Sequence, residues 1–228
     1  MLGYRSLLAP IRKVPPEIFQ QIFLYVCNRN QVGESFGERL PTRLPPVSLA
    51  QVCCMWHEVV KSSSCLWSTI HFQVIRNYSP DSASAWVEQI ERLLELSGSA
   101  PLSIDVVITI EEYDFDDNDP PFQCVKMLAL HSDRWSEASI DVHPELLDDM
   151  LHALHPIQGH LPLLQHLEFN AMFSETRHIG LFHNAPKLQS VQLYSETQTT
   201  LTCLGISCSS WFCGIQTVTT PSYLCLHN

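Results

Sequence analysis

Five short stretches of this chain alternate apolar and polar residues with period two. They are STIHFQV (Ile70, Phe72, Val74), PLSIDVVI (Ile104, Val106, Ile108), ASIDV (Ile140, Val142), LPLLQHLEFN (Leu164, Leu167, Phe169) and APKLQSVQLYS (Leu188, Val191, Leu193). Such alternation predicts strands that bury one face and leave the other polar. Between them lie stretches of helical period. SASAWVEQIERLLELSG places Trp86, Ile90, Leu93 and Leu94 on one helical face and stops at Gly98. PFQCVKMLALHSDRW and PELLDDMLHALHP repeat the pattern, the latter between Pro144 and Pro156. Met127 and Trp135 fall in these stripes and read as core.

The spacing suggests repetition. Leu164 and Leu188 open two stretches, 24 residues apart, that follow Leu-x-x-Leu-x-Leu closely, while Ile70, Ile104 and Ile140 are separated by 34 and 36 residues. Periods of this size predict stacked supersecondary units. The expectation is a short, irregular leucine-rich-repeat-like solenoid of strands and helices that binds proteins along one face. LTCLGI (Leu201, Leu204, Ile206) reads as a further strand. After Tyr194 the chain is rich in Ser, Thr and Cys with no capping helix, so its end reads as a frayed or truncated terminal repeat.

Charge divides the chain unequally. Residues 1–77 carry eight Lys and Arg against four Asp and Glu, a balance of +4, whereas residues 78–228 carry five against twenty, a balance of −15. A chain of net charge −11 repels a phosphate backbone, which argues against a nucleic-acid partner. No window holds 18 uninterrupted apolar residues, and the N-terminus lacks a signal peptide's apolar stretch. No membrane association is therefore expected, and the expected location is cytoplasm, nucleus or both. Nine cysteines, an odd number, imply no complete disulfide framework; buried free thiols are the reading.

Chemistry-bearing motifs are sparse. The run EEYDFDDNDPP, with Asp114, Asp116 and Asp117, lacks the glycine and closing glutamate of a calcium loop. His152, His155 and His160 are interrupted by Pro156, and Cys203, Cys208, Cys213 and Cys225 lack the spacing of zinc knuckles. There is no Gly-rich phosphate loop or nucleophile elbow. The expectation is a non-enzyme without catalytic residues, cofactor or metal.

The N-terminal part reads as helices. VPPEIFQQIFLYVCN has an early proline and Glu17 in its first turn, and Ile18, Phe19, Ile22, Phe23 and Val26 form one stripe. Asn28 to Pro46 reads as a connecting loop. Leu49, Val52, Cys53, Trp56, Val59 and Val60 predict a second, single helical face that buries Cys53 and Trp56. His57 falls one turn from Cys53, but no third orienting group or four-ligand set accompanies them, so the cysteine reads as a small buried hydrophobe.

Taken in order, VPPEIFQQIF, VSLAQVCCMW and CLWSTI resemble the F-box. Pro15, Glu17, Ile18, Ile22, Phe23, Val52, Cys53, Trp56, Leu66 and Trp67 match its pattern, while Val14 replaces a leucine and the loop is longer than usual. With LPPVSLAQVC, a later RW and LPLLQHLEF, the layout is similar to F-box families of mushroom-forming fungi. The resemblance implies an α+β or α/β chain: an extension over residues 1–13, a helical F-box domain over 14–72 with its loop at 28–46, the repeat-like region over 73–200 and the terminal repeat over 201–228. It implies the substrate-recognition subunit of an SCF-type ubiquitin ligase. The ten matching residues would bind a Skp-family adaptor, and through it a cullin scaffold, with Ile18, Ile22 and Trp67 exposed as anchors. The repeat region would hold a protein substrate. The alternative is an interaction module outside a ligase, or a decayed or truncated copy.

Overall fold

The computed structural model describes residues 10–28, 30–34, 44–74, 80–109, 119–157, 159, 161–171, 178–194, 199–203, 206–210 and 216–219. A 3₁₀ turn (Pro10–Lys13) leads into α1 (Pro16–Val26), followed by β1 (Asn30–Glu34), α2 (Pro45–Ala50), α3 (Cys54–Ser62) and β2 (Thr69–Val74). Then come α4 (Pro80–Leu96), β3 (Leu102–Ile108), α5 (Pro120–Ala129), β4 (Trp135–Val142), α6 (Leu147–Ala153) and β5 (His166–Asn170). The remaining strands are β6 (His178–Ile179), β7 (Ser190–Tyr194), β8 (Thr199–Cys203), β9 (Ile206–Ser210) and β10 (Gln216–Thr219).

Strands β1, β2, β3, β4, β5 and β7 lie side by side in that order, all parallel, and β10 joins the far edge antiparallel. A small second sheet contains β6, β8 and β9. The period-two alternation becomes rows across the main sheet. Ile70, Ile104, Ala138, Leu167 and Val191 are in register, as are Val32, Phe72, Val106, Ile140, Phe169 and Leu193, and all are buried. The helices cover this face. Trp86, Ile90 and Leu93 of α4, Phe122, Val125 and Leu128 of α5, and Leu147 and Met150 of α6 join the same buried cluster.

This architecture overturns the expected division into an N-terminal helical F-box domain and a leucine-rich-repeat-like solenoid. The described residues form an α/β fold around one six-stranded parallel sheet with six helices, and the N-terminal helices are part of it. The reason lies in residues 28–46. Far from being only a loop, they contain β1, which pairs with β2 and forms the sheet's first edge. Phe19 and Phe23 of α1 and Val59 and Val60 of α3 belong to the same hydrophobic cluster as the strands, so among the described residues no separate helical core defines an F-box domain. Strand-helix-strand spacings of about 34 residues are also what parallel crossovers require, and here they build a sheet.

β1 has almost no strand signal, since NQVGE contains a single large apolar residue. Two local contacts hold it. The buried Asn30 side chain donates to the carbonyls of Leu66 (2.9 Å) and Thr69 (3.0 Å). Gly33, at φ +104°, brings its backbone so close to β2 that a Cβ there would meet the Gln73 carbonyl oxygen at 2.0 Å. The predicted single second helix is likewise two. Cys53 is extended (φ −163°, ψ 167°), which separates α2 from α3 and makes it the N-cap residue of α3.

Other sequence expectations agree with the chain's backbone. Four of the predicted strand segments contain β2, β3, β5 and β7, the fifth, ASIDV, lies within the longer β4, and the three later helices form as α4, α5 and α6. Gly98, at φ +53°, follows α4 in the left-handed conformation expected of a helix stop. Trp135 is buried and Met127 partly so. The single strand expected over Leu201–Ile206 is instead divided, Leu201 lying in β8 and Ile206 in the antiparallel β9, while Leu204 lies outside the described residues. Among the described residues no helix is long and apolar enough to cross a membrane.

Candidate functional site

Parallel sheets normally bury both faces. In this sheet the second face is polar and open, because each strand places its alternate residues there. Three rows follow from the register. The first is Thr69, Ser103, Glu137, His166 and Ser190; the second is Gln31, His71, Asp105, Ser139, Glu168 and Gln192; the third is Gln73, Val107, Asp141, Asn170 and Tyr194. The first row and, from His71 onward, the second line a groove of about 470 Å³.

Side-chain contacts in the groove run across strands. The Nδ1–H of buried His71 donates to Asp105 Oδ2 at 2.7 Å, and His71 Nε2 lies 3.2 Å from the Gln73 amide oxygen. Gln31 Nε2 donates to the same oxygen at 3.3 Å, so β1, β2 and β3 are linked on this face. Ser103 donates to Glu137 at 3.0 Å, and His166 Nδ1 lies 2.7 Å from Ser190 Oγ. Glu168 has no hydrogen-bond or ion-pair partner among the described residues. Burial raises the Asp141 carboxyl above its ordinary range; the Asn170 amide opposes this, and the charge on Asp105 adds to it.

Chemically, this face offers hydroxyl, amide, imidazole and carboxylate groups. His71 is held between Asp105 and Gln73, so neither ring nitrogen is free to serve as a base toward a ligand. Among the described residues no three His, Cys, Asp or Glu are placed to hold a metal ion. The period-two pattern did reveal which strand face would be polar, but it gave no means of aligning those polar positions. That alignment comes from the register.

The second candidate surface is α1, which has two apolar sides. Phe19 and Phe23 face inward and meet Trp56 of α3, with ring centroids 5.7 and 4.8 Å from the indole. Outward, Ile18, Ile22, Tyr25 and Val26 are 43, 49, 87 and 51% exposed. Their spacing of three and four residues places them along one helical face.

The ten residues expected to contact an adaptor are thus divided. Pro15, Glu17, Ile18, Ile22, Val52 and Cys53 are exposed, and Trp56 is half-buried. Phe23, Leu66 and Trp67 are buried in the chain's own core. Trp67 is therefore no exposed anchor: its indole N–H donates to the Val60 carbonyl at 3.2 Å. Cys53, expected in a buried stripe, is solvent-exposed because the break between α2 and α3 removes it from the helical face. His57 is also exposed, and its contact with Cys53 is through the backbone, N–H to carbonyl at 2.9 Å. Tyr25, the most exposed apolar residue on α1, was missed because it falls outside the matching pattern.

His152 and His155 lie exposed on α6 and the turn after it. His160, Asp114, Asp116, Asp117, Cys213 and Cys225 lie outside the described residues, as do the side chains of Cys203 and Cys208. Comparison of the chain with protein-family profiles, curated proteins and solved structures finds no match in any of the three.

Proposed function

We propose that this chain is a substrate-recognition subunit of an SCF-type ubiquitin ligase. In this reading the outer face of α1 docks a Skp-family adaptor, which links it to a cullin scaffold, and the open sheet face holds a protein substrate. The division of α1 carries the proposal. One apolar side is satisfied by Trp56 and the core, while a second, formed by Ile18, Ile22, Tyr25 and Val26, stays in water. Isolated exposed apolar residues need no explanation, but a row of large ones along a single helix is the anchor pattern of helix-mediated recognition.

The F-box-like residues Ile18 and Ile22 lie in that row, and the +4 balance of residues 1–77 favours encounter with an acidic partner surface. Phe23, Leu66 and Trp67 act within the chain, seating α1 and α3 on the sheet so that the row is presented rigidly.

The test is capture of purified Skp-family adaptor by the full chain and by an Ile18→Asp, Ile22→Asp variant. Two central apolar anchors lost together weaken binding by at least about a hundredfold. Capture lost in the variant supports the ligase reading. No capture by the folded native chain would leave an interaction protein acting outside a ligase.

A further inference from the structure

We propose that the open face of the sheet binds an extended protein segment carrying lysine or arginine at alternate positions. The inference rests on the reading of that face as the substrate-holding side, and it names the substrate's chemistry.

Charge supplies the first argument. Asp105, Glu137 and Glu168 line the groove, one from each of three adjacent strands, and no Lys or Arg lines it. Asp105 is answered by His71, and Glu137 receives the Ser103 hydroxyl. Glu168 has no partner among the described residues. No Lys or Arg in the groove's lining thus balances these carboxylates. Phosphate-bearing and acidic ligands are repelled by such a face, and its hydroxyl and amide groups offer an apolar helix little to bury.

Geometry supplies the second. The carboxylates zigzag between two rows: Asp105 and Glu168 share one, and Glu137 sits in the other on the strand between them. Strands about 4.8 Å apart and a two-residue rise of about 6.6 Å put neighbouring members roughly 8 Å apart at their backbones. Alternate side chains of an extended chain are about 6.7 Å apart, a mismatch that flexible Lys and Arg stems absorb. Five strands from β2 to β7 span about 20 Å, the length of about six extended residues. Ser139, Ser190 and Gln192, placed between and beyond the carboxylates, offer hydrogen bonds to a backbone crossing the strands.

Fluorescence anisotropy with the full chain tests this, using a labelled heptapeptide of alternating serine and lysine. Saturable binding that weakens with salt is expected, and Glu137→Gln, Glu168→Gln should weaken it roughly tenfold, the effect of two exposed ion pairs. Both positions are at the surface of the groove, and an unchanged unfolding midpoint verifies the variant's fold. Absence of saturable binding, or equal binding by the variant, overturns the proposal. Equal binding of a heptapeptide with its three lysines in one block overturns the extended, alternating geometry. The Ile18→Asp, Ile22→Asp chain should bind the peptide like the native chain, so a failure of adaptor docking and a failure of this proposal are read separately.

Discussion

The indole N–H of Trp67 donates to the carbonyl of Val60, seven residues earlier, at 3.2 Å. Trp135 makes the same bond to Leu128, also seven residues earlier, at 3.1 Å. In both places a helix ends, a 3₁₀ turn follows, and a Trp-Ser pair begins the passage into a strand. The serine after each tryptophan also donates to a backbone carbonyl, Ser68 to Cys65 and Ser136 to Leu102. The ring thus ties the end of the covering helix to the start of the strand beneath it.

Replacing either tryptophan with phenylalanine keeps an aromatic ring but removes the donor and part of the packing. Each change should cost about 1–3 kcal/mol. Trp67 lies just before β2 and Trp135 opens β4, two strands away, so the double variant should sum the two losses to within about 0.5 kcal/mol. Urea unfolding of the four proteins checks this; strong non-additivity would mean that the two latches act as one unit.

Gly33 sets the first edge of the sheet. Any side chain there would collide with the Gln73 backbone and would have to adopt a left-handed φ of +104°. Gly33→Ala should therefore cost at least about 2 kcal/mol, felt mainly as detachment of β1. Hydrogen exchange is the measurement. Amides of Asn30–Glu34 should lose protection while β3, β4 and β5 keep theirs; unchanged protection of β1 would show that the close approach is dispensable.

These two devices show what was and was not legible in the sequence. Wherever the strands alternate cleanly, as in Ile104, Val106 and Ile108, the element and its buried face could be read directly. β1 could not be, because its pairing depends on what Asn30 and Gly33 meet in β2 and the turn before it, and those partners are some 40 residues away. The helical stripe from Leu49 to Val60 was misleading for the opposite reason. Its periodicity is real, yet an extended Cys53 interrupts it, and local spacing carries no sign of the break. The polar groove was half legible: each strand showed its own hydrophilic positions, but their alignment exists only after pairing. The resemblance of residues 15–67 to a known motif drew attention to Ile18 and Ile22, while Trp67 was assigned outward although its ring is buried.

The thiols should divide by burial. Cys27 and Cys124 are buried, and burial pushes their thiols up to about 11 and about 12, so at neutral pH they are protonated and shielded. Cys53 and Cys54 are exposed on either side of the start of α3. Brief iodoacetamide treatment followed by peptide mapping should modify Cys53 and Cys54 in the native chain and reach Cys27 and Cys124 only on unfolding. Native labelling of Cys124 would contradict its place in the core between α5 and the sheet.

Asp141 gives the sheet's open face a pH dependence. Its carboxyl is held above the ordinary range, first by burial and in smaller part by Asp105, against the opposing Asn170 amide. The folded chain therefore binds this proton more tightly than the unfolded chain does. The resulting stability is fully present below the ordinary carboxylate range and is lost as pH rises through the raised folded value. Asp141→Asn removes the titration while keeping shape and hydrogen-bonding capacity. Its stability relative to the native chain should rise with pH across that window, reaching a gain of up to about 1 kcal/mol at neutral pH. Urea unfolding at a series of pH values from 4 to 7 measures the difference. A difference that falls with rising pH would mean that Asp141 is stabilised as a carboxylate, by a cation or donor on this face stronger than its repulsion from Asp105.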